Sequence, residues 1–173
     1  ICLFGDHNQL PPMGCTPPFK VGLMERLYNP EIDYMLESCY RCPSVSTKFF
    51  SDRFYDGRVT AQESVVNSRG LQFKSPCIHL DVPADDPSLR GSYGDPNRYS
   101  EKEAEGIVKV AQFLNGVGIP FSCLTVITLY KRQRELVVDR LTQVQIPVKG
   151  YSSTDQDAAV EVVNIDKYQG KEN

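Results

Sequence analysis

Residues 124–144, with the sequence LTVITLYKRQRELVVDRLTQV, contain the pattern that decides the fold. The apolar, β-branched run from Leu124 to Leu129 predicts a buried strand. The segment from Lys131 to Val144 follows at once and predicts an amphipathic helix. The apolar side of this helix consists of Leu136, Val137, Leu141 and Val144. A buried strand that leads directly into such a helix is the repeating unit of an α/β domain.

The same alternation continues on either side of this segment. Ser100 and Glu103 have the spacing of a capping box, so a helix is predicted that starts after Ser100 and ends at Gly116. The run from Val160 to Ile165 predicts a last strand. Short buried strands that alternate with helices predict a mostly parallel sheet, covered by helices on both faces and connected by right-handed crossovers.

The first half of the chain carries weaker signals of the same kind. Its predicted strands are residues 1–4, 34–37 and 78–82. Its predicted helices run from about residue 19 to residue 28 and from Pro43 to a C-cap at Gly57. The apolar face of the second helix consists of Val45, Phe49, Phe50 and Phe54, which predicts that this face lies in the core.

Two segments are predicted to have no regular structure. Pro11 and Pro12 make residues 5–18 a stiff connector, because neither proline fits a central strand or a helix interior. Residues 83–99 are rich in Pro, Gly, Asp and Ser and are predicted to form an exposed loop.

The composition is that of one ordinary soluble domain. The chain has 173 residues, 40% hydrophobic and 24% charged, with a net charge of −3. This acidity argues against a domain that wraps nucleic acid by bulk positive charge, but it allows a local basic groove. No apolar run reaches the roughly 18 residues that a bilayer requires, and no leader resembles a signal peptide. We therefore expect an intracellular protein, cytoplasmic or nuclear, without a membrane partner.

Six cysteines raise the question of a zinc site or a disulfide framework. Cys39 and Cys42 form the only close pair, and the remaining Cys and His residues offer no second pair at the usual ligand spacing. We therefore predict reduced, mostly buried thiols and no metal site.

Four segments, in order, resemble the conserved motifs of superfamily 1 helicases, in the branch typified by the helicase of nonsense-mediated messenger-RNA decay. Residues 5–12 (GDHNQLPP) are similar to motif III, and residues 163–172 (VNIDKYQGKE) to motif V. Residues 36–43 (LESCYRCP), followed by residues 54–57 (FYDG), resemble the motif IV region. Residues 126–133 (VITLYKRQ) resemble the next conserved strand and turn.

The resemblance implies the domain organisation. Residues 1–18 are expected to be the end of a first RecA-like domain with its motif III connector. Residues 19–173 are expected to be the second RecA-like domain of a P-loop NTPase fold, truncated at its C-terminus. The chain contains neither a phosphate-binding loop nor the acidic pair that holds Mg²⁺, so both are expected in the first domain.

By the same resemblance, the parent protein hydrolyses ATP with Mg²⁺ between its two domains, and this chain supplies two catalytic residues. Gln9 orients the attacking water and senses the γ-phosphate, while Arg41 acts as an arginine finger. Five nucleotide-binding residues are implied as well. These are Asp6, which anchors the motif III loop, Tyr40 at the adenine, Gln169 and Gly170 near the phosphates, and Glu172 near the ribose.

Each of these residues also has a structural alternative. Arg41 is also consistent with a surface ion pair, and Gln9 with a turn residue beside two prolines. Tyr40 suits the core almost as well as an adenine stack, and Gly170 suits a tight turn.

The resemblance also places a single-stranded RNA or DNA partner at the strand ends. The residues implied in that contact are Thr128, Tyr130, Lys131 and Asn164. Leu129 departs from the family, which has a proline there, and Asn164 stands where Ser or Thr is common. Lys131 and Arg132 fit a solvated helix start equally well.

The function implied for the parent protein is that of an ATP-dependent nucleic-acid helicase or translocase. A helicase-like binding or scaffold module without turnover is the alternative. A doubly wound nucleotide-binding enzyme of another kind would need a glycine-rich phosphate loop, and the chain has none.

Overall fold

A computed structural model of the chain describes residues 3–11, 16–62, 77–83, 97–151 and 156–168. The chain divides into two compact units, Ile1–His79 and Leu80–Asn173, which are described separately below. The predicted domain boundary between residues 18 and 19 stays a prediction. In the part of the chain that the structure describes, no helix combines the length and apolar character needed to cross a membrane.

The first unit consists of short elements. A 3-10 helix at Pro17–Phe19 precedes helix α1 (Leu23–Leu27). Strand β1 (Ser38–Cys39) pairs in parallel with strand β2 (Thr60–Ala61), and helix α2 (Ser44–Phe54) connects them. The predicted helix from Pro43 to Gly57 is therefore confirmed, with Pro43 as its N-cap rather than its first residue.

The C-cap of α2 is Tyr55, two residues before the predicted C-cap at Gly57, and Gly57 lies in the turn that follows. Asp56 and Gly57 have φ angles of 52° and 72°, in the left-handed region that a glycine adopts without strain. The backbone amide of Gly57 donates to the carbonyl of Ser51 over 3.0 Å, which satisfies a carbonyl of the last turn.

Three strand predictions in this half of the chain are wrong for the described residues. Leu3 and Phe4 lie in no strand, and Phe4 is 92% exposed. The strand predicted at residues 34–37 starts at Ser38 instead. Residues 78–82 have no strand pairing. Apolar character alone does not make a strand, because each strand needs a neighbour that pairs with its backbone amides and carbonyls.

The predicted core face of α2 is also wrong. Val45 and Phe49 are 60% and 74% exposed, whereas Thr47 and Ser51 are buried. The side of α2 that carries the two polar residues faces nearby backbone, where the Thr47 hydroxyl donates to the Cys42 carbonyl over 3.0 Å. The Ser51 hydroxyl accepts from the amide of Val59 over 2.9 Å. Hydrogen bonds to local backbone, rather than apolar periodicity, therefore set the orientation of this helix.

The second unit follows the sequence pattern closely. Helix α3 (Glu101–Gly116), strand β3 (Thr125–Thr128) and helix α4 (Lys131–Gln143) occur where they are predicted. Strand β4 (Glu161–Asn164) pairs in parallel with β3, and helix α5 (Ile165–Tyr168) follows it. The parallel pairing of the sheet is thus confirmed, and its covering by helices on both faces stays a prediction.

One hydrophobic core holds the second unit together. Helices α3 and α4 pack on each other and share this core with the residues around β4. Its most buried members are Ala104, Val137, Leu141, Val148 and Val160. Three of the four predicted apolar residues of α4 are buried, but Val144 lies beyond the end of the helix and is exposed.

A buried glutamine links the starts of α3 and α4. The Ser100 hydroxyl accepts from the amide of Glu103 over 3.2 Å, as the capping box predicts. The amide of Ser100 donates to Oε1 of Gln133 over 2.6 Å, and Nε2 of Gln133 donates to the Ser100 carbonyl over 3.2 Å. The N-terminus of α3 is therefore capped in part by a side chain from the first turn of α4.

Replacement of this glutamine should destabilise the second unit. Gln133→Ala removes two buried hydrogen bonds from the backbone of Ser100, so we expect the free energy of unfolding to fall by about 2 kcal/mol. Urea denaturation of the chain measures this loss. The matched control is Gln112→Ala on the exposed surface of α3, with an expected change within about 0.5 kcal/mol. Equal effects of the two variants would contradict the capping role.

Candidate functional site: the turn around Asp6 and a strand-end groove

A single carboxylate organises the turn that carries Gln9. Oδ1 of Asp6 accepts from the backbone amide of Asn8 over 3.0 Å. Oδ2 accepts from Nε2 of Gln9 over 2.9 Å and from the hydroxyl of Tyr55 over 2.5 Å. The structure thus brings together two predicted site residues, Asp6 and Gln9, with Asp6 at the centre of the hydrogen bonds of the turn.

This turn is attached to the C-terminal end of α2. Tyr55 is the C-cap of that helix, and Nδ2 of Asn8 donates to the carbonyl of Phe54 over 2.9 Å. Arg41 precedes the other end of the same helix, whose 11 residues span about 16 Å. The two predicted catalytic residues, Gln9 and Arg41, are therefore attached near opposite ends of α2.

The hydrogen bonds around Asp6 also shift two pKa values. Partial burial by itself would raise the pKa of Asp6, but the hydrogen bonds from Tyr55, Gln9 and the Asn8 amide outweigh it and hold that pKa below its usual 3.8. Burial, together with the hydrogen bond to the charged Asp6, raises the pKa of Tyr55 to about 12. Asp6 is therefore an anion and Tyr55 a neutral hydrogen-bond donor at neutral pH.

The predicted finger and adenine residues lie side by side on an exposed bend. Residues 40–42 form this bend between β1 and α2, and the Tyr40 side chain is 68% exposed, so the alternative of a buried core tyrosine is wrong. Arg41 is exposed as well. The bend is held at its first end because the amide of Gln62 donates to the carbonyl of Cys39 over 2.9 Å.

In the second unit, the carboxyl ends of β3 and β4 meet. Thr128 lies opposite Asn164 in the parallel register, and its hydroxyl is 3.4 Å from Oδ1 of Asn164. Thr128 is buried, whereas Asn164 is half-buried. Two of the four residues predicted to contact nucleic acid are thus neighbours at one sheet edge, as parallel strands require.

Aromatic and cationic side chains surround that edge. Tyr130 is half-buried, and the exposed Lys131 lies 3.9 Å from Glu135. The guanidinium of Arg132 lies 5.8 Å from the ring centroid of Tyr99, close enough for a cation–π contact. A cavity of about 470 Å³ opens beside these residues. Its lining includes Arg98, Tyr99, Thr128, Tyr130 and Gln133.

Sequence reasoning missed the contribution of Arg98 and Tyr99 to this groove. Both residues fall in the segment predicted to be an exposed loop, but they are half-buried next to the strand ends. The capping box at Ser100 was the available signal, because it makes Tyr99 the residue just before an N-cap, and an apolar side chain at that position often packs against the first turns of the helix.

The remaining three predicted nucleotide-binding residues stay predictions. Gln169, Gly170 and Glu172 lie outside the described residues. Among the described residues, no group of three or more His, Cys, Asp or Glu side chains is arranged to hold a metal ion. Four cysteines of the described residues are in the thiol form. Cys39 and Cys42 are half-buried, whereas Cys77 and Cys123 are exposed, so the expectation of mostly buried thiols is wrong for these four.

Parallel strand pairs that alternate with helices define an α/β domain, an architecture consistent with a P-loop NTPase-like domain. The chain belongs to the AAA_12 family, described as "AAA domain", whose model matches residues 19–173.

Two helicases are similar to the chain over almost its whole length. The mouse protein named 5'-3' DNA helicase ZGRF1 is 27% identical over 187 residues, which cover 99% of this chain and 9% of that protein. A Methanocaldococcus jannaschii protein named uncharacterized ATP-dependent helicase MJ0104 is 28% identical over 189 residues, which cover 100% of this chain and 26% of that protein. The chain therefore spans about a tenth and about a quarter of the lengths of these curated relatives.

The hydrogen bond between Tyr55 and Asp6 should be measurable by titration. In the native chain one tyrosine should ionise late, with a pKa of about 12, and its signal should disappear in Tyr55→Phe. Asp6→Asn should lower the pKa of Tyr55 toward 10, because the negative neighbour is removed. Near-ultraviolet absorbance against pH follows both changes.

The free energy of unfolding should also depend on the hydrogen bond between Tyr55 and Asp6. The pKa of Tyr55 is raised in the folded state. Its hydrogen bond to Asp6 therefore contributes to the free energy of unfolding below pH 10, and this contribution is lost as pH rises from 10 to about 12. Tyr55→Phe should therefore cost about 1 kcal/mol at neutral pH, after allowance for solvent screening, and less at high pH. Tyr34→Phe, at an exposed position, is the matched control. A loss from Tyr55→Phe that does not change with pH would refute the coupling.

Proposed function

We propose that the chain is part of an ATP-dependent helicase or translocase that acts on single-stranded nucleic acid. The observation that supports this most is the alignment of the chain, over at least 99% of its length, with two proteins named as helicases. The match to the AAA domain family supports nucleotide use. In this proposal residues 1–18 end a first RecA-like domain and residues 19–173 form most of the second, in an intracellular protein.

On the nucleotide side, the chain supplies the γ-phosphate sensor and the finger. Arg41 is exposed on a bend, where its planar guanidinium can reach a γ-phosphate held by another domain. Tyr40, exposed beside it, is suited to stack on the adenine. The Mg²⁺ ligands and the phosphate loop belong to the first domain in this proposal, with Gln169, Gly170 and Glu172 completing the nucleotide contacts.

Asp6 acts behind Gln9 rather than on the nucleotide itself. Its lowered pKa keeps it anionic, and an anion directly against a triphosphate is unfavourable. Its two oxygens instead hold the amide of Asn8 and the side chain of Gln9. We infer that Asp6 positions the turn and that Gln9 is the residue that meets the attacking water.

On the nucleic-acid side, Thr128, Tyr130, Lys131 and Asn164 form one half of a single-strand groove. The buried strand ends give it a rigid base, and the exposed Lys131, whose side chain is 76% accessible, provides charge for phosphates. Tyr99 and Tyr130 line the adjoining cavity and provide aromatic surface on which bases can stack. A local cluster of cationic residues at this edge is compatible with the net charge of −3.

A binding module without turnover is the second candidate. Its support is the position of Gln9, whose side chain is bound to Asp6 in a turn attached to the far end of α2 from Arg41. We infer that both residues reach one phosphate when this turn leaves Tyr55 as the domains close. A protein in which the turn stays in place would bind nucleotide without rapid hydrolysis.

The proposed finger is tested in the full-length protein that contains this chain. Arg41→Ala should lower the rate of ATP hydrolysis stimulated by nucleic acid by about 100-fold or more, because the γ-phosphate charge loses its cation. Arg41→Lys should recover only a small part, since it cannot form the planar donor fork.

Arg53→Ala, on the exposed surface of α2, is the matched control and should leave the rate unchanged. An Arg41→Ala variant as fast as the native protein would remove this residue from the site. A native protein without ATPase activity on either RNA or DNA would favour the binding module.

The groove is tested by single-strand affinity. Lys131→Ala and Arg132→Ala should each weaken binding of single-stranded RNA or DNA and make it less salt-dependent, with the slope of log K against log salt reduced by about 0.7 per lost contact. Fluorescence anisotropy at several salt concentrations measures both effects. Lys109→Ala, at an exposed position of α3, should change neither quantity. Unchanged salt slopes for both groove variants would mean that these cations are only solvated surface charge.

A further inference from the structure

Two thiols flank the proposed arginine finger. Cys39 is the last residue of β1, Cys42 immediately precedes the N-cap of α2, and Tyr40 and Arg41 lie between them. Both cysteines are half-buried, so their sulfurs are accessible to a small oxidant. The pair lacks the second pair of ligands that a zinc site needs, and neither thiol has a role in the proposed ATP chemistry.

The fold holds the two thiols close together. The backbone amide of Cys42 donates to Sγ of Cys39 over 3.4 Å. The side chain of Cys42 is a hydrogen-bond partner of Cys39 as well, so the two sulfurs are neighbours across the bend at residues 40–42. Both ends of this bend are fixed, the first by the pairing of β1 with β2 and the second by the hydrogen bond from Thr47 to the Cys42 carbonyl.

Cys39 is the thiol suited to react first. Partial burial by itself would raise the pKa of Cys39. Hydrogen bonds outweigh this effect and hold the pKa below the usual 9.0. They come from the backbone amides of Cys42 and Arg41 and from the side chains of Thr47 and Cys42. A larger thiolate fraction favours attack on an oxidant. Cys42 lies within hydrogen-bonding reach and is placed to act as the resolving thiol.

We propose that Cys39 and Cys42 form a reversible disulfide when a hydroperoxide oxidises the protein, and that this bond fixes the bend that carries Tyr40 and Arg41. The regulatory part of the proposal rests on the proposed function, because it takes Arg41 as the finger. The disulfide itself does not depend on that role.

The chemistry balances in two steps. The Cys39 thiolate attacks an oxygen of the hydroperoxide, so that an S–O bond forms, the O–O bond breaks and the leaving hydroxide or alkoxide takes a proton. Cys42, after losing its proton, then attacks the sulfur of Cys39, which forms the S–S bond and releases water. The two thiols lose two electrons to the peroxide, and a dithiol reductant returns them by thiol–disulfide exchange.

The disulfide between Cys39 and Cys42 should reduce the mobility of Arg41. A finger must move toward the γ-phosphate as the domains close, and displacement of a catalytic group by about 1 Å can cost about 100-fold in rate. We therefore expect oxidation to lower the stimulated ATPase rate by up to about 100-fold, and a dithiol to restore it.

The test uses the full-length protein, treated with hydrogen peroxide and then with a dithiol. Peptide mass mapping of the oxidised protein should find Cys39 joined to Cys42, and this link should be absent after reduction. Cys39→Ser and Cys42→Ser should each abolish the link and protect the ATPase rate. Cys123→Ser, at an exposed thiol of the second unit, is the matched control and should behave like the native protein.

The outcomes separate this proposal from the proposed function. Failure to form the Cys39–Cys42 link would overturn the proposal even if the reduced protein is a fast ATPase. A link that forms without any change in ATPase rate would overturn the regulatory part. A reduced native protein without ATPase activity would count against the proposed function, whereas the mass measurement would still decide whether the disulfide forms.

Discussion

The parallel pairing of β3 with β4 is the constraint on which the organisation of the second unit depends. It places Thr128 opposite Asn164, so both strands deliver their last residues to one edge of the sheet. Helix α4 starts three residues after Thr128, which brings Gln133 to that edge. Because Gln133 binds both backbone groups of Ser100, the N-terminus of α3 is held at the same edge. One register therefore fixes the strand-end groove.

The second unit could be predicted from sequence because its signals are local and agree with one another. The β-branched run of β3, the apolar side of α4 and the cap at Ser100 each specify the element that forms there. The first unit lacks this agreement. Its paired strands have only two residues each, so register and local hydrogen bonds matter more than apolar periodicity. The outward orientation of Phe49 is the result.

The candidate functional site also has one part that could be predicted from sequence and one part that could not. The meeting of Thr128 and Asn164 follows from strand alternation, which the sequence shows. The bonds from Tyr55 to Asp6 and from Gln133 to Ser100 join residues 49 and 33 positions apart. No periodicity encodes such pairs, since they depend on side-chain positions that only the packed structure provides.

The two catalytic residues proposed for the first unit are constrained differently. The bend that carries Arg41 is covalently continuous with the start of α2, so it moves with this helix. Hydrogen bonds of Tyr55 and Asn8 hold the turn that carries Gln9 to the end of α2. Such bonds each contribute about 1 to 3 kcal/mol, which is comparable with the energy that differential nucleotide binding provides. A γ-phosphate that binds Gln9 can therefore compete with Tyr55 for the position of this turn. In that case the Asp6 carboxylate keeps Gln9 aligned within the turn, while the contacts with Tyr55 and with the Phe54 carbonyl hold the turn at the end of α2.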